Sequence, residues 1–159
     1  MTDLESLAFG FGRGLEKSET DTIYRNMLLA FEKKAIPFPK QGKILEVGSG
    51  NGNFLEHMRA KGLDVEGVDI APRGPNVLKA DAKHLPYNDE TFDLIISKQV
   101  FDGVVYDQYP EDQRVMLREM ARVLKKDGCY YAMEVFFEDI EGLERIPGQD
   151  SVGTIYRKP

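Results

Sequence analysis

The residues best suited to chemistry cluster in the stretch Lys43 to Asn53, KILEVGSGNGN. Gly48, Gly50 and Gly52 alternate with small or polar residues just after Glu46, with Ser49 between the first two glycines. Ahead of them, Ile44, Leu45 and Val47 form a short apolar run suited to a buried parallel strand. Behind them, Phe54, Leu55 and Met58 open a helical spacing. The stretch therefore predicts a strand, a glycine turn and a helix. Glycine permits positive φ and lets a ligand come close to the backbone. The start of a helix adds unpaired N–H groups and the positive end of its dipole. These features suit a polar or anionic ligand group at a sheet's carboxyl edge. The run LDVEGVDI, Leu63 to Ile70, brings an acid, Asp69, about 20 residues after the turn, where a carboxylate can accept both hydroxyl hydrogens of a ribose. The simpler role for Asp69 is that of a strand-end acid capping the next turn.

The elements that must hold these residues follow from periodicity. Ser18 to Ala35 predicts a helix, with Ser18 and Asp21 resembling a capping box and Ile23, Tyr24, Met27, Leu28 and Phe31 on one face. Pro37 and Pro39 end it. The helix after the turn runs from Asn53 to Ala60 and stops at Gly62. His57, flanked by Glu56 and Arg59, is expected to be exposed. Pro72, Gly74 and Pro75 leave no room for a helix after Asp69, so a strand over Val77 to Ala80 must be short or irregular; a parallel crossover usually needs about a dozen residues. Phe92 to Ser97 predicts a buried strand and Glu111 to Lys126 a helix. Cys129 to Phe136 predicts a strand holding a buried, inert thiol at Cys129. Glu138 to Glu144 suggests one helical turn, and Val152 to Arg157 a last strand, antiparallel at or near a sheet edge. This order predicts an α/β chain with a doubly wound, mostly parallel sheet and helices on both faces. Residues 1–17, with Phe9 and Phe11 among Gly10, Gly12 and Gly14, read as a flexible arm or a lid. Residues 18–159 read as a single domain.

Composition bounds the function. The chain has 159 residues, of which 42% are apolar and 30% charged, the balance of a globular protein. A net charge of −6 argues against a broad nucleic-acid footprint, so no nucleic-acid partner is expected. The one cysteine excludes an internal disulfide and fits a cytoplasmic location. The N-terminal residues do not resemble a signal peptide, and no apolar run approaches the roughly 18 residues of a membrane span.

At this point a family resemblance is plain. The chain resembles the class I S-adenosylmethionine-dependent methyltransferases over Ile23 to Val135. Glu46-Val-Gly48-Ser-Gly50-Asn-Gly52 resembles the family's E/D-x-G-x-G-x-G turn, and Asp69 the acid ending the second strand. Asp81-Ala82-Lys83-His84-Leu85-Pro86-Tyr87 resembles the D-A-x-x-L-P-F loop beside the adenine. Phe92 to Ser97 and then Arg122 to Gly128 resemble the fourth strand and the R-V-L-K-P-G-G helix end. The resemblance implies a Rossmann-like fold and S-adenosylmethionine as cofactor, with S-adenosylhomocysteine as product. It implies that Gly48, Gly50 and Gly52, with Ser49 among them, lie along the methionine and ribose parts, and that Glu46 sits near the amino group or orders the turn. Asp69 would hold the ribose hydroxyls, Ile70 would pack on adenine, and Asp81 and Ala82 would meet the adenine edge. Ser97, Lys98 and Gln99 would stand at the reacting end. The chain departs from the pattern in lacking the helix between the second and third strands and in having a truncated C-terminal hairpin. A homodimer could supply the missing wall.

Methyl transfer from a sulfonium is an in-line displacement that depends mainly on alignment, and positioning can supply about 7–11 kcal/mol in favourable cases. The absence of a catalytic cluster therefore does not count against an enzyme. Candidate general bases are His84, Asp102 and Asp107, with Tyr106 and Tyr109 shaping the pocket. No Cys/His cluster offers a metal site. The leading expectation is a methyltransferase acting on a small-molecule O, N or C acceptor. The alternative is a non-catalytic cofactor-binding domain or subunit working with a partner protein. A nicotinamide oxidoreductase fits poorly, because Asn53 stands where G-x-G-x-x-G needs its last glycine.

Overall fold

A computed structural model describes residues 16–98, 100, 110–133, 137–148 and 153–159. The expected arm or lid lies almost wholly outside the described residues, as do Gln99 and the whole 101–109 loop with Asp102, Tyr106, Asp107 and Tyr109. The elements in chain order are α1 (Lys17–Lys33), β1 (Lys43–Val47), α2 (Asn53–Ala60), β2 (Asp64–Asp69), β3 (Leu78–Lys79), β4 (Phe92–Lys98), α3 (Pro110–Val123), β5 (Leu124–Met133), β6 (Glu144–Arg145) and β7 (Thr154–Arg157).

The strands form one seven-stranded sheet in the order β3-β2-β1-β4-β5-β7-β6. β1 to β5 run parallel, and β7 lies antiparallel between β5 and β6. From β1 the chain steps outward to β2 and β3, then returns to place β4 on the other side of β1. That reversal opens a crevice at the carboxyl ends of β1 and β4, where open α/β sheets bind ligands. Alternate strand residues feed two cores. Leu45, Val47, Ile95 and Tyr130 face α3 through Leu117 and Met120, while Ile44, Leu94, Ile96 and Tyr131 face α1 and α2 through Met27, Phe31, Phe54 and Leu55. Each such side chain, fully buried, contributes about 1.5–3 kcal/mol.

The fold is the doubly wound Rossmann-like sheet expected, with four local corrections. The box at the start of α1 is not Ser18 with Asp21. Glu16 is the extended N-cap residue, and the Glu19 carboxylate reaches back to accept the Glu16 amide at 2.8 Å. α3 stops at Val123 rather than Lys126, because the Arg122 and Val123 carbonyls accept the Glu90 and Thr91 amides and Leu124 joins the sheet opposite Phe92. The register then shifts, with Leu94 opposite Cys129; the intervening residues include Asp127 at φ 62°, while Lys125 Nζ reaches Asp93 at 2.8 Å. Glu138 to Glu144 holds no helical turn. Ile140 and Leu143 form a bridge around Gly142, whose φ of 81° suits glycine. His57 is only 19% exposed, because α1 covers it with Thr20, Asp21 and Tyr24. The third strand is short, as expected, and β6 and β7 form a short version of the terminal hairpin.

Candidate functional site

The glycine turn leaves β1 at the crevice. Gly48, Gly50 and Gly52 take φ of 80°, 53° and 78°, and Gly52 is the left-handed N-cap residue of α2. A non-glycine residue there carries strain, which explains the alternation seen in the sequence. The amides of Gly48 and Ser49 donate to the Val68 carbonyl at 2.8 and 3.0 Å, tying the turn to β2. Asp69 ends β2 beside it. Its Oδ2 accepts the Gly50 amide and its Oδ1 the Ala71 amide, each at 2.8 Å. Asp69 is thus both a strand-end cap and the acid that orders the turn, and it remains partly exposed.

Glu46 points from β1 into the interior behind the turn and is 3% exposed. Its Oε2 accepts the Ser49 hydroxyl at 2.8 Å. Burial pushes the Glu46 carboxyl up to about 7, against the stabilising Ser49 bond, with Asp69 raising it further and Lys98 lowering it. A carboxyl in this state takes up or gives up charge near neutrality, and a nearby cation would hold it ionised.

Where a helix normally separates the second and third strands, Ile70 to Val77 fold back as a strap over the turn. The Arg73 amide donates to the Gly50 carbonyl at 2.9 Å. A side chain on Gly74 would overlap the Asn51 carbonyl, and one on Gly52 would meet Val77 at 3.1 Å. On the other side Val100, just past β4, lies against Gly48. Val100 therefore touches the turn directly.

Asp81 and Ala82 stand on the next loop. Asp81 Oδ1 accepts the Lys83 amide at 2.9 Å, and Lys83 Nζ bridges to Asp112 at 3.2 Å in the first turn of α3. His84 is exposed on that loop. Arg122 holds the loop's far side. Its guanidinium donates to the Leu85 and Tyr87 carbonyls and to Glu119 and Asp89, and these acids push its pKa up. Ser97 lies at the carboxyl end of β4, but its hydroxyl turns into the core and meets the Tyr130 hydroxyl at 2.6 Å. Ile70 is partly exposed beside Asp69, and Lys98 is partly exposed at the end of β4. The structure thus brings Glu46, Ser49, the three glycines and Asp69 together, sets Asp81 and Ala82 on the adjacent loop, and directs Ser97 inward. Sequence reasoning passed over Arg73, whose signal was a cation inside a proline- and glycine-rich connection, and quoted Arg122 only as the first residue of the helix-end motif.

The residues fit a cofactor of the expected kind. Glycines at positive φ put no side chain into the crevice, and two acids of different burial flank the turn. Among the described residues no group of His, Cys, Asp and Glu could hold a metal ion. Likewise, no described helix is long and apolar enough to cross a membrane.

Together, the switch point, glycine turn and strand-end acid define a Rossmann-like methyltransferase fold. A family model described as "Methyltransferase domain" matches residues 45–132, more than half of the chain. The chain belongs to that family, the class I S-adenosylmethionine-dependent methyltransferases, whose cofactor is S-adenosylmethionine. It is 32% identical over 132 residues to a mouse protein named probable tRNA methyltransferase 9B, a match covering 72% of this chain and 29% of that one. It is 27% identical over 125 residues to the demethylmenaquinone methyltransferase of Chlorobaculum tepidum, covering 72% of this chain and 49% of the relative. The chain thus spans half or less of the length of these curated relatives. Among solved structures, the PH0226 protein of Pyrococcus horikoshii OT3 shares the fold with a TM-score of 0.60 at 18% identity, covering 86% of this chain and 91% of that one.

Proposed function

We propose that this chain is a methyltransferase that moves a methyl group from S-adenosylmethionine to a small-molecule O, N or C acceptor by in-line displacement. The observation that carries the reading is the Asp69–Gly50 bond at the β1/β4 switch point, which fixes the glycine turn between a strand-end acid and the buried Glu46. When bound, the cofactor supplies a methyl group activated on a sulfonium. The chain's residues do the positioning. Asp69 accepts the ribose hydroxyls while still bracing the turn, and Glu46 faces the ammonium. Asp81 and Ala82 meet the adenine edge, and Ile70 packs against its face. The acceptor lies beyond β4, where Asp102, Asp107 and Tyr106 are the candidates to take its proton or line its pocket, with His84 on the loop before β4 as a further candidate base. The acidic net charge of −6 favours a small acceptor over RNA, even though one relative is named for tRNA. The lone Cys129 is buried and free, which suits the cytoplasm. The short β2–β3 connection also favours a second reading, in which the chain binds the cofactor but turns over only with a partner protein or a second copy of itself.

Calorimetry with S-adenosylmethionine, S-adenosylhomocysteine and NADH tests the cofactor, with binding expected for the first two only. Release of S-adenosylhomocysteine on a panel of small acceptors, with tRNA as a separate arm, tests the acceptor. Turnover on tRNA alone would overturn the small-molecule reading, and binding of NADH alone would overturn the class.

A further inference from the structure

Glu119 and Arg122, near the end of α3, form a forked ion pair. Arg122 Nε donates to Glu119 Oε1 at 2.7 Å and Nη2 to Oε2 at 2.8 Å. Both members then close on one residue of the 81–87 loop. Glu119 Oε2 accepts the Leu85 amide at 2.9 Å, and Arg122 Nη2 donates to the Leu85 carbonyl at 3.2 Å. Arg122 Nη1 also donates to the Tyr87 carbonyl at 2.9 Å and to Asp89 at 2.7 Å. The Arg122 bond leads in holding the Glu119 carboxyl below its ordinary range, so the fork stays charged.

Packing alone does not call for this arrangement. The Leu85 side chain is 5% exposed and already seats the loop in the core that α3 covers. Gripping its amide and its carbonyl together also sets how the peptide units on either side are turned. Upstream, the His84 amide donates to the Asp81 carbonyl and the Lys83 amide to Asp81 Oδ1, both at 2.9 Å, while the Ala80 amide donates to the Asp69 carbonyl at 3.0 Å. The turn from Asp81 to His84 thus hangs between β2 on one side and the fork on the other. Lys83 Nζ lies nearer to Asp112, at 3.2 Å, than to Asp81 Oδ2, at 4.0 Å, which leaves that oxygen able to accept an incoming donor. We propose that Glu119 and Arg122 are positioning residues that determine specificity: by gripping Leu85 they set the turn so that Asp81 reads the amino edge of adenine. Both act through the loop and not on the ligand. The assignment rests on the cofactor reading above.

The test compares S-adenosylhomocysteine with S-inosylhomocysteine, in which a keto oxygen replaces the adenine amino group. Calorimetry and melting are run on the wild type, Arg122→Lys, Glu119→Gln and Tyr130→Phe. Arg122→Lys keeps the charge without the fork, and Glu119→Gln keeps an acceptor for the Leu85 amide. Tyr130→Phe strands the Ser97 hydroxyl in the core and reports a loss of stability alone. The wild type should prefer the amino-bearing ligand by about tenfold or more, as expected for a hydrogen bond to a carboxylate. Both fork variants should lose most of that preference by weakening S-adenosylhomocysteine, while Tyr130→Phe keeps it. Fork variants that melt lower but hold the wild-type preference would make the pair a support for the fold and overturn the proposal, with the cofactor reading left standing. Loss of preference in Tyr130→Phe as well would also overturn it, since any loosening of the core would then have the same effect. A wild type that binds neither ligand would instead remove the cofactor reading, and this assignment with it.

Discussion

Asp69 holds Gly50. The carboxylate Oδ2 accepts the Gly50 amide at 2.8 Å, while Oδ1 accepts the amide of Ala71. One side chain thus braces the ligand-facing turn and the strap beyond it, and each oxygen keeps a lone pair for a ribose hydroxyl.

Two substitutions separate those roles. Asp69→Ala should weaken S-adenosylhomocysteine by about 1–3 kcal/mol, the usual cost of losing hydrogen bonds to a charged group, and should also lower the thermal midpoint. Asp69→Asn keeps one acceptor oxygen and should melt closer to wild type while still binding weakly. Calorimetry and melting on the same samples check both. Unchanged affinity in the Ala variant would remove Asp69 from the ribose.

Glu46 gives a pH prediction. Its carboxyl rises from an ordinary 4.5 to about 7 through burial, so the folded chain holds the proton more tightly than the unfolded one. The resulting stability is fully present below pH 4.5 and is lost as pH rises to about 7. Glu46→Gln removes this dependence. Urea unfolding at acid and at mildly alkaline pH should show the variant gaining about 2–4 kcal/mol on the wild type between the two. An ammonium bound nearby favours the ionised form, so wild-type affinity for S-adenosylhomocysteine should rise as pH passes about 7, and that of the variant should stay flat.

Ser97 and Tyr130 form a sealed pair, with hydroxyls 2.6 Å apart and both residues buried. Desolvation pushes the Tyr130 phenol up, so it stays neutral and available as a donor. Ser97→Ala or Tyr130→Phe alone strands one hydroxyl and should cost about 1–3 kcal/mol. The double variant should cost less than the sum, and a urea-unfolding cycle reads the difference. Strict additivity would mean that the two hydroxyls do not depend on each other.

The sequence conveyed most where two signals agreed. The glycines at 48, 50 and 52, the acid at 69 and the apolar runs of β1 and β4 all point to one sheet edge, and the structure joins them there. Boundaries failed where tertiary bonds overrode local pattern. Lys125 and Lys126 look like a basic last helical turn, yet the Arg122 and Val123 carbonyls are taken by the loop before β4 and Leu124 enters the sheet. His57 looks solvated beside Glu56 and Arg59, but α1 lies across it, a packing that helical spacing alone does not reveal. Arg73 was illegible for a related reason: Pro72, Gly74 and Pro75 forbid a helix but do not say that the strap turns back onto Gly50.

The two outermost strands, β3 and β6, are each two residues long. A neighbouring chain pairing along either of them would gain only a couple of ladder hydrogen bonds, too few to offset the ordering of a new strand. Short borders of this kind discourage runaway stacking of copies into fibres. Self-association of this chain would then have to be built from side chains on its faces, where shape and charge can limit it to a closed pair.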